Sequence, residues 1–229
     1  MTSSVAVFPA AAPVTFVRST VGRKVIMAGT GLVLFGFVFV HMLGNLQLYL
    51  GPAAINGYAV FLRHFLHGSG IWIARAVLVS AAGLHIWSAT SLTLQSWAAR
   101  PVGYKRWEPR ESTYASRTMR WSGVIVLSFL VYHLLHFTLG TAHPDYVELQ
   151  PYHNVVAGFR VVPVSIFYIV AMILLGFHLD HGAWSMLRTL GLAHPRYARY
   201  ARAAAAAFAI LLVLGNISFP IAVLAGVVR

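Results

Sequence analysis

A chain of 229 residues that is 59% hydrophobic and only 10% charged, with a mean hydropathy of +0.72, is an integral membrane protein and not a soluble domain. Once its apolar stretches are counted, too little is left for a separate soluble catalytic domain, so any soluble chemistry belongs to partner chains. The formal charge of +12 is concentrated in particular loops, which argues against a nucleic-acid surface, and the lack of cysteine excludes disulfides, thiolate-held iron–sulfur clusters and covalent haem attachment.

The first 17 residues, MTSSVAVFPAAAPVTFV, carry no charged side chain and two prolines, so they lack the basic n-region of a secretory signal peptide. Residues 1–24 are expected to form a short irregular lead-in on the cytoplasmic side, followed by a single all-α transmembrane domain over residues 25–228. Within it, residues 25–50, 71–95, 121–141, 161–187 and 203–228 are each apolar and long enough for one tilted membrane helix, which takes about 20 residues. Gly51-Pro52, Arg100-Pro101, His143-Pro144 and His194-Pro195 punctuate the chain between them. Pro163 stands near the start of the fourth span, where proline is tolerated.

Orientation follows from lysine and arginine. Arg18, Arg23, Lys24, Arg100, Lys105, Arg106, Arg110, Arg117, Arg120, Arg188, Arg196, Arg199 and Arg202 fall on one side, leaving Arg63, Arg75, Arg160 and Arg229 on the other. The N-terminus is expected in the cytoplasm and the C-terminus outside. The longest basic segment, residues 98–120, interleaves Tyr104, Trp107 and Tyr114 with its charges, and reads as an interfacial loop that also docks a soluble partner.

The eleven histidines divide by position. His64, His67, His143, His153 and His194 fall in the connections and read as solvated surface residues. His41, His85, His133, His136, His178 and His181 fall in the spans, where an imidazole is costly unless it pairs, binds a metal or meets water. A single membrane histidine reads as a packing or relay residue, but here four spans each supply one. Bis-histidine ligation of a haem b takes two imidazoles from facing helices, and two haems take four. The fifth span has no histidine, as expected of a helix that only packs. Glycine lets a porphyrin approach helix backbone, and Gly83 and Gly176 each stand two residues before a histidine, while Gly29, Gly31, Gly36, Gly44 and Gly123 lie in the first and third spans. Ordinary helix packing competes as an explanation for each. Because His136 and His181 follow His133 and His178 by three residues, spacing leaves either member of each pair open as the ligand.

The segments GLVLFGFVFVHMLGNLQLYLGP around His41, GLHIWSATSLTLQ around His85, GVIVLSFLVYHLLHFTLG around His133 and GFHLDHGAWSMLRTLG around His178 resemble the diheme cytochrome b membrane anchor of succinate dehydrogenase and fumarate reductase. The resemblance covers nearly the whole chain after about residue 20. It implies that His41, His85, His133 and His178 ligate two haems b. It also implies a flavoprotein subunit that oxidises succinate and an iron–sulfur subunit that passes electrons inward, both on the cytoplasmic face of a bacterial inner membrane. The chain would anchor them and deliver electrons to quinone, either menaquinone or ubiquinone. Some relatives carry an acid at the outer side for quinol proton transfer, whereas the corresponding segment here offers Arg63, His64 and His67, so an outer quinol site by that route is not expected.

Depth favours a pairing. Counted from the cytoplasmic ends at about 1.5 Å per residue, His41 and His133 lie roughly 24 and 18 Å in, and His85 and His178 roughly 15 and 14 Å in. The expected pairs are His41 with His133 in an outer haem and His85 with His178 in an inner one. Arg23, Thr30, Arg117, Trp121 and Arg188 are candidates to meet the inner haem's propionates, with interfacial anchoring as the competing reading. Ser88, Ser91, Trp97, Asp180 and Trp184 place polar and aromatic groups where quinone would be reduced, or form an interfacial belt. Asp180 is expected either to pair with His181 beside it or to move protons for quinone. Two other functions fit the same features: the cytochrome b subunit of a formate dehydrogenase or nitrate reductase, and a haem-free proton-relay transporter.

Overall fold

The computed structural model describes residues 16–99 and 114–229. Residues 1–15 of the expected lead-in and 100–113 of the expected basic loop lie outside the described residues. Helix α1 (Thr20–Asn45) starts at Ser19, whose extended backbone lets its hydroxyl accept the Gly22 N–H at 2.9 Å. The helix tightens into a 3-10 turn, Leu46–Leu50, and ends at Gly51, whose φ of 96° would strain any residue with a Cβ. Helix α2 (Pro52–His64) begins on a proline, at the point in a helix where a missing N–H costs nothing. A 3-10 turn, Phe65–Gly68, leads to α3 (Ser69–Ala98). Helix α4 (Tyr114–His133) runs straight into a π-helical turn, Leu134–Thr138. Helix α5 (Pro151–Arg160) again begins on a proline, extended Val161 separates it from α6 (Val162–Thr189), and α7 (Ala198–Leu224) follows.

Five of these helices are long and apolar enough to cross a membrane, and no strand occurs among the described residues. The short helices α2 and α5 occupy segments read from sequence as connections, so His64 and His153 are helical and not in loops. Gly51-Pro52 does break α1, but Pro52 also opens the next helix. His67 lies in the 3-10 turn, with a positive φ of 54°.

The chain alternates direction, so the starts of α1, α4 and α7 share one end with the finishes of α3 and α6. This is the basic end. There the Arg23 guanidinium donates to the Ser91 hydroxyl, tying α1 to α3, and Arg202 Nη2 donates to Asp180 Oδ2 at 2.7 Å, tying α7 to α6. At the far end Tyr49 donates to Ser218 at 2.7 Å, Arg63 meets Glu148 at 3.0 Å, and Asn56 Oδ1 accepts the Tyr152 N–H at 3.1 Å, joining α2 to α5. A buried cluster that includes Leu48, Ile55, Val156, Phe159, Tyr168 and Phe219 fills that end. A second cluster of Met42, Leu179, Ala209 and Leu212 locks α1, α6 and α7 together.

Helix α3 packs on α1, α4 on α6, α1 on α6 and α7 on α6. Small residues make close packing possible: a Cβ on Gly176 would run into Val213 of α7, and one on Gly215 into Met42. Gly176 therefore serves the packing of α6 on α7. Among the described residues, the backbones of α1 and α4, and those of α3 and α6, are at most in marginal contact. Side chains join those helices across the middle of the bundle, and they include the histidines.

Candidate functional site

His41 of α1 and His133 of α4 meet with ring centroids 5.9 Å apart, and His85 of α3 and His178 of α6 with centroids 6.4 Å apart. An iron held between two imidazoles at metal–nitrogen distances of about 2 Å puts the ring centres about 6 Å apart, because ring nitrogen and ring centre are about 1 Å apart. Turning either ring about its metal–nitrogen axis leaves that separation unchanged, so the interplanar angles of 86° and 58° are both admissible. Each pair also joins two helices whose backbones are at most in marginal contact, so the side chains and not the backbones meet there. Among the described residues no three His, Asp or Glu side chains converge on a point. Each pair could supply two ligands, and only to a metal that brings its equatorial donors with it.

The second ring nitrogen decides which nitrogen a metal can take. His85 Nδ1 lies 3.2 Å from the Met27 carbonyl, to which it can only donate, and 3.3 Å from Thr30 Oγ1. His178 Nδ1 lies 3.4 Å from Ser122 Oγ, and His133 Nδ1 lies 3.4 Å from the Tyr168 hydroxyl. His85 therefore keeps Nε2 as its lone-pair nitrogen, and so does His178, because Ser122 gives its hydrogen to the Met119 carbonyl at 3.1 Å, whereas the Tyr168 hydroxyl is able either to donate to His133 or to accept from it. At His41, Asn45 Nδ2 donates to Nε2 at 3.2 Å, so a metal there displaces that amide or takes Nδ1. The residues present fit two bis-histidine irons.

His136 is separated from this arrangement by the π-helical turn. In a regular α-helix it would share a face with His133, but the wider turn that begins at Leu134 swings it toward α5 and α6. Its ring is fully buried, 3.0 Å from the Tyr168 hydroxyl through Nδ1 and stacked on Tyr132, and a Cβ on Gly158 would touch it. His133 is thus the ring that faces His41.

The profile of the succinate dehydrogenase/fumarate reductase transmembrane subunit family matches residues 98–215, just over half of the chain. The chain belongs to that family. No curated protein and no solved structure matches it. The matched region holds His133 and His178, while His41 and His85 precede it. This succinate dehydrogenase/fumarate reductase subunit is accordingly a multi-pass membrane component of an oxidoreductase complex.

The remaining candidates sit at the basic end with unequal roles. Thr30 lies against the His85 imidazole, where it seats the ring. Arg23 bonds Ser91 and the Val17 carbonyl and lies 5.8 Å over the Trp87 ring, at the edge of the helix bundle. Arg117, Trp121 and Arg188 are exposed. Ser88 is fully buried in α3, whereas Trp97 is exposed with Arg120 5.4 Å over its ring, so Ser88, Ser91 and Trp97 do not share one surface. Asp180 pairs with Arg202 and not with His181, because α7 brings the guanidinium to it across the α6–α7 hairpin. Trp184 is half-buried one turn beyond Asp180. Sequence reasoning missed Asn45, Ser122 and Tyr168. Asn45 had a signal, lying one helical turn from His41, but the other two act on histidines far away in sequence.

Proposed function

We propose that this subunit is the electron-transferring membrane anchor of a succinate:quinone oxidoreductase, binding one haem b at each histidine pair. The observation that carries the reading is the pair of facing imidazoles at two levels of one bundle, each at a separation suited to an intervening iron. When bound, the two haems supply one-electron carriers at two depths in the membrane. His85 and His178 would hold the iron near the basic end, and His41 and His133 the one near the far end. Arg23 offers a cation to a propionate at the basic end.

The basic end faces the cytoplasm, as the lysine and arginine bias requires, and docks the iron–sulfur subunit and, through it, the flavoprotein. Quinone, menaquinone or ubiquinone, is reduced at that end. Asp180, with one carboxylate oxygen held by Arg202 and the other buried without a hydrogen-bond partner, is the group that would relay a proton to it, taking one up from water at the basic end for each one it gives to the reduced quinone. Membership of the family weighs against a formate dehydrogenase or nitrate reductase subunit and against a haem-free transporter.

One experiment tests activity and orientation together. Succinate is a dianion that crosses bilayers poorly. Added to sealed inside-out vesicles carrying the complex, it should reduce a b-type haem, with sharp alpha and Soret bands appearing. Right-side-out vesicles should give that signal only after they are opened. Reduction confined to intact right-side-out vesicles would reverse the topology, and bands that appear with dithionite but never with succinate would remove succinate as the donor.

A further inference from the structure

The two histidine pairs relate to each other in a way that spacing along one helix does not reveal. Residues 30–41, TGLVLFGFVFVH, and residues 122–133, SGVIVLSFLVYH, align without a gap as Ser/Thr-Gly-x5-Phe-x3-His. Downstream, Gly83-Leu84-His85 corresponds to Gly176-Phe177-His178. The folded elements repeat in the same order. In each half a long helix ends in an irregular turn, then a short helix starts on proline, then a second long helix returns: α1, α2, α3 and again α4, α5, α6. The equivalent short helices α2 and α5 pack on each other, as two halves do across a two-fold axis. Each facing histidine pair is then one residue and its own counterpart, His41 with His133 and His85 with His178.

The contacts repeat as well. Phe37 lies 5.3 Å from the His41 ring, and Phe129 lies 5.7 Å from His133. Thr30 Oγ1 lies 3.3 Å from His85 Nδ1, and Ser122 Oγ lies 3.4 Å from His178 Nδ1. A Cβ on Gly31 would press on His85 Cε1 at 3.3 Å, and one on Gly123 would reach His178 Cε1 at 3.9 Å. Both hydroxyls spend their single hydrogen on their own helix, Thr30 on the Ile26 carbonyl at 2.7 Å and Ser122 on the Met119 carbonyl at 3.1 Å. What each turns to the imidazole is a lone pair. The imidazole must donate from Nδ1, which leaves the Nε2 lone pair for a metal.

We infer that the chain is two copies of one three-helix unit, and that Thr30–Gly31 and Ser122–Gly123 are the two copies of an imidazole seat: the glycine lies beside the ring of the neighbouring helix, tightly at Gly31 and with room for a Cβ at Gly123, and the hydroxyl fixes the ring with Nδ1–H bonded and Nε2 free. Thr30 and Ser122 are positioning residues for the basic-end pair. At the far end the halves have diverged, with Asn45 beside His41 and Tyr168 beside His133, so the seats are specific to one haem.

The inference rests on the two-haem reading, and a redox titration of the purified complex separates the two. A Nδ1–H acceptor makes an axial imidazole a stronger donor and favours oxidised iron. Ser122→Ala should therefore shift the basic-end component to higher midpoint potential. Thr30→Val should shift the same component less, since His85 keeps the Met27 carbonyl, and the double variant should shift it most. Ser122→Thr and Thr30→Ser, which retain the hydroxyl, should restore the wild-type value, and the far-end component should stay fixed in all five. Two resolved components that Ser122→Ala leaves unmoved would overturn the seat while the two-haem reading stood, as would a shift confined to the far-end component or an equal shift in Ser122→Thr. A wild-type complex without haem would overturn the reading itself.

Discussion

Alanine at His85 and alanine at His178 should each delete the same component of the reduced-minus-oxidised spectrum, about half of the haem, because the two rings face one another and on the proposed function would serve one iron. Alanine at His41 or His133 should delete the other half. These helices share few backbone contacts across either pair, so losing one ligand releases a cofactor without removing the packing that α7 and the α1–α6 contact supply. His136→Ala is the discriminating control. Its ring is buried against Tyr168 and Tyr132, and the ring that meets His41 is His133, so that variant should keep both spectral components and lose stability instead, a buried aromatic truncation costing about 3 kcal/mol. If His41 and His85 together deleted one component, or if His136→Ala behaved like His133→Ala, the pairing would be wrong.

The second large effect lies at the basic end. Arg202→Ala should lower the melting temperature of the detergent-solubilised protein by roughly 5–10 °C, corresponding to about 3 kcal/mol, because it strands the Asp180 carboxylate where only part of it reaches water. Asp180→Asn combined with Arg202→Ala should recover much of that loss, since no uncompensated charge remains. Asp180→Asn alone also separates structure from chemistry. As a proton donor to quinone, Asp180 requires that its amide variant slow quinone reduction while succinate still reduces the haem. A double variant no more stable than Arg202→Ala alone would show that the ion pair is not what holds α7 to α6.

The five spans were legible because membrane length and apolar composition leave few alternatives. The short helices α2 and α5 were not, since each starts on a proline that reads as a break and each is too short for its pattern to stand out. Depth came close for the histidines. The apolar stretches begin later than the helices do, and counting from Thr20 and Tyr114 at about 1.5 Å per residue brings His41 and His133 from roughly 6 Å apart in depth to about 3 Å. The ambiguity between His133 and His136 could not be resolved by spacing, because spacing assumes a regular helix and a π turn intervenes. Arg202 was readable as a topology signal but not as the partner of Asp180, since their contact depends on how α7 folds back on α6. Ser122 had no local signal, and its role emerges only when α4 is compared with α1.

The central claim is that the four histidines form two bis-histidine sites, and it can be counted. The pyridine haemochrome assay on the purified complex, set against the protein content of this chain, should give two haems b per chain, with alpha bands that resolve into two components during reductive titration. One haem per chain, or none, would contradict it.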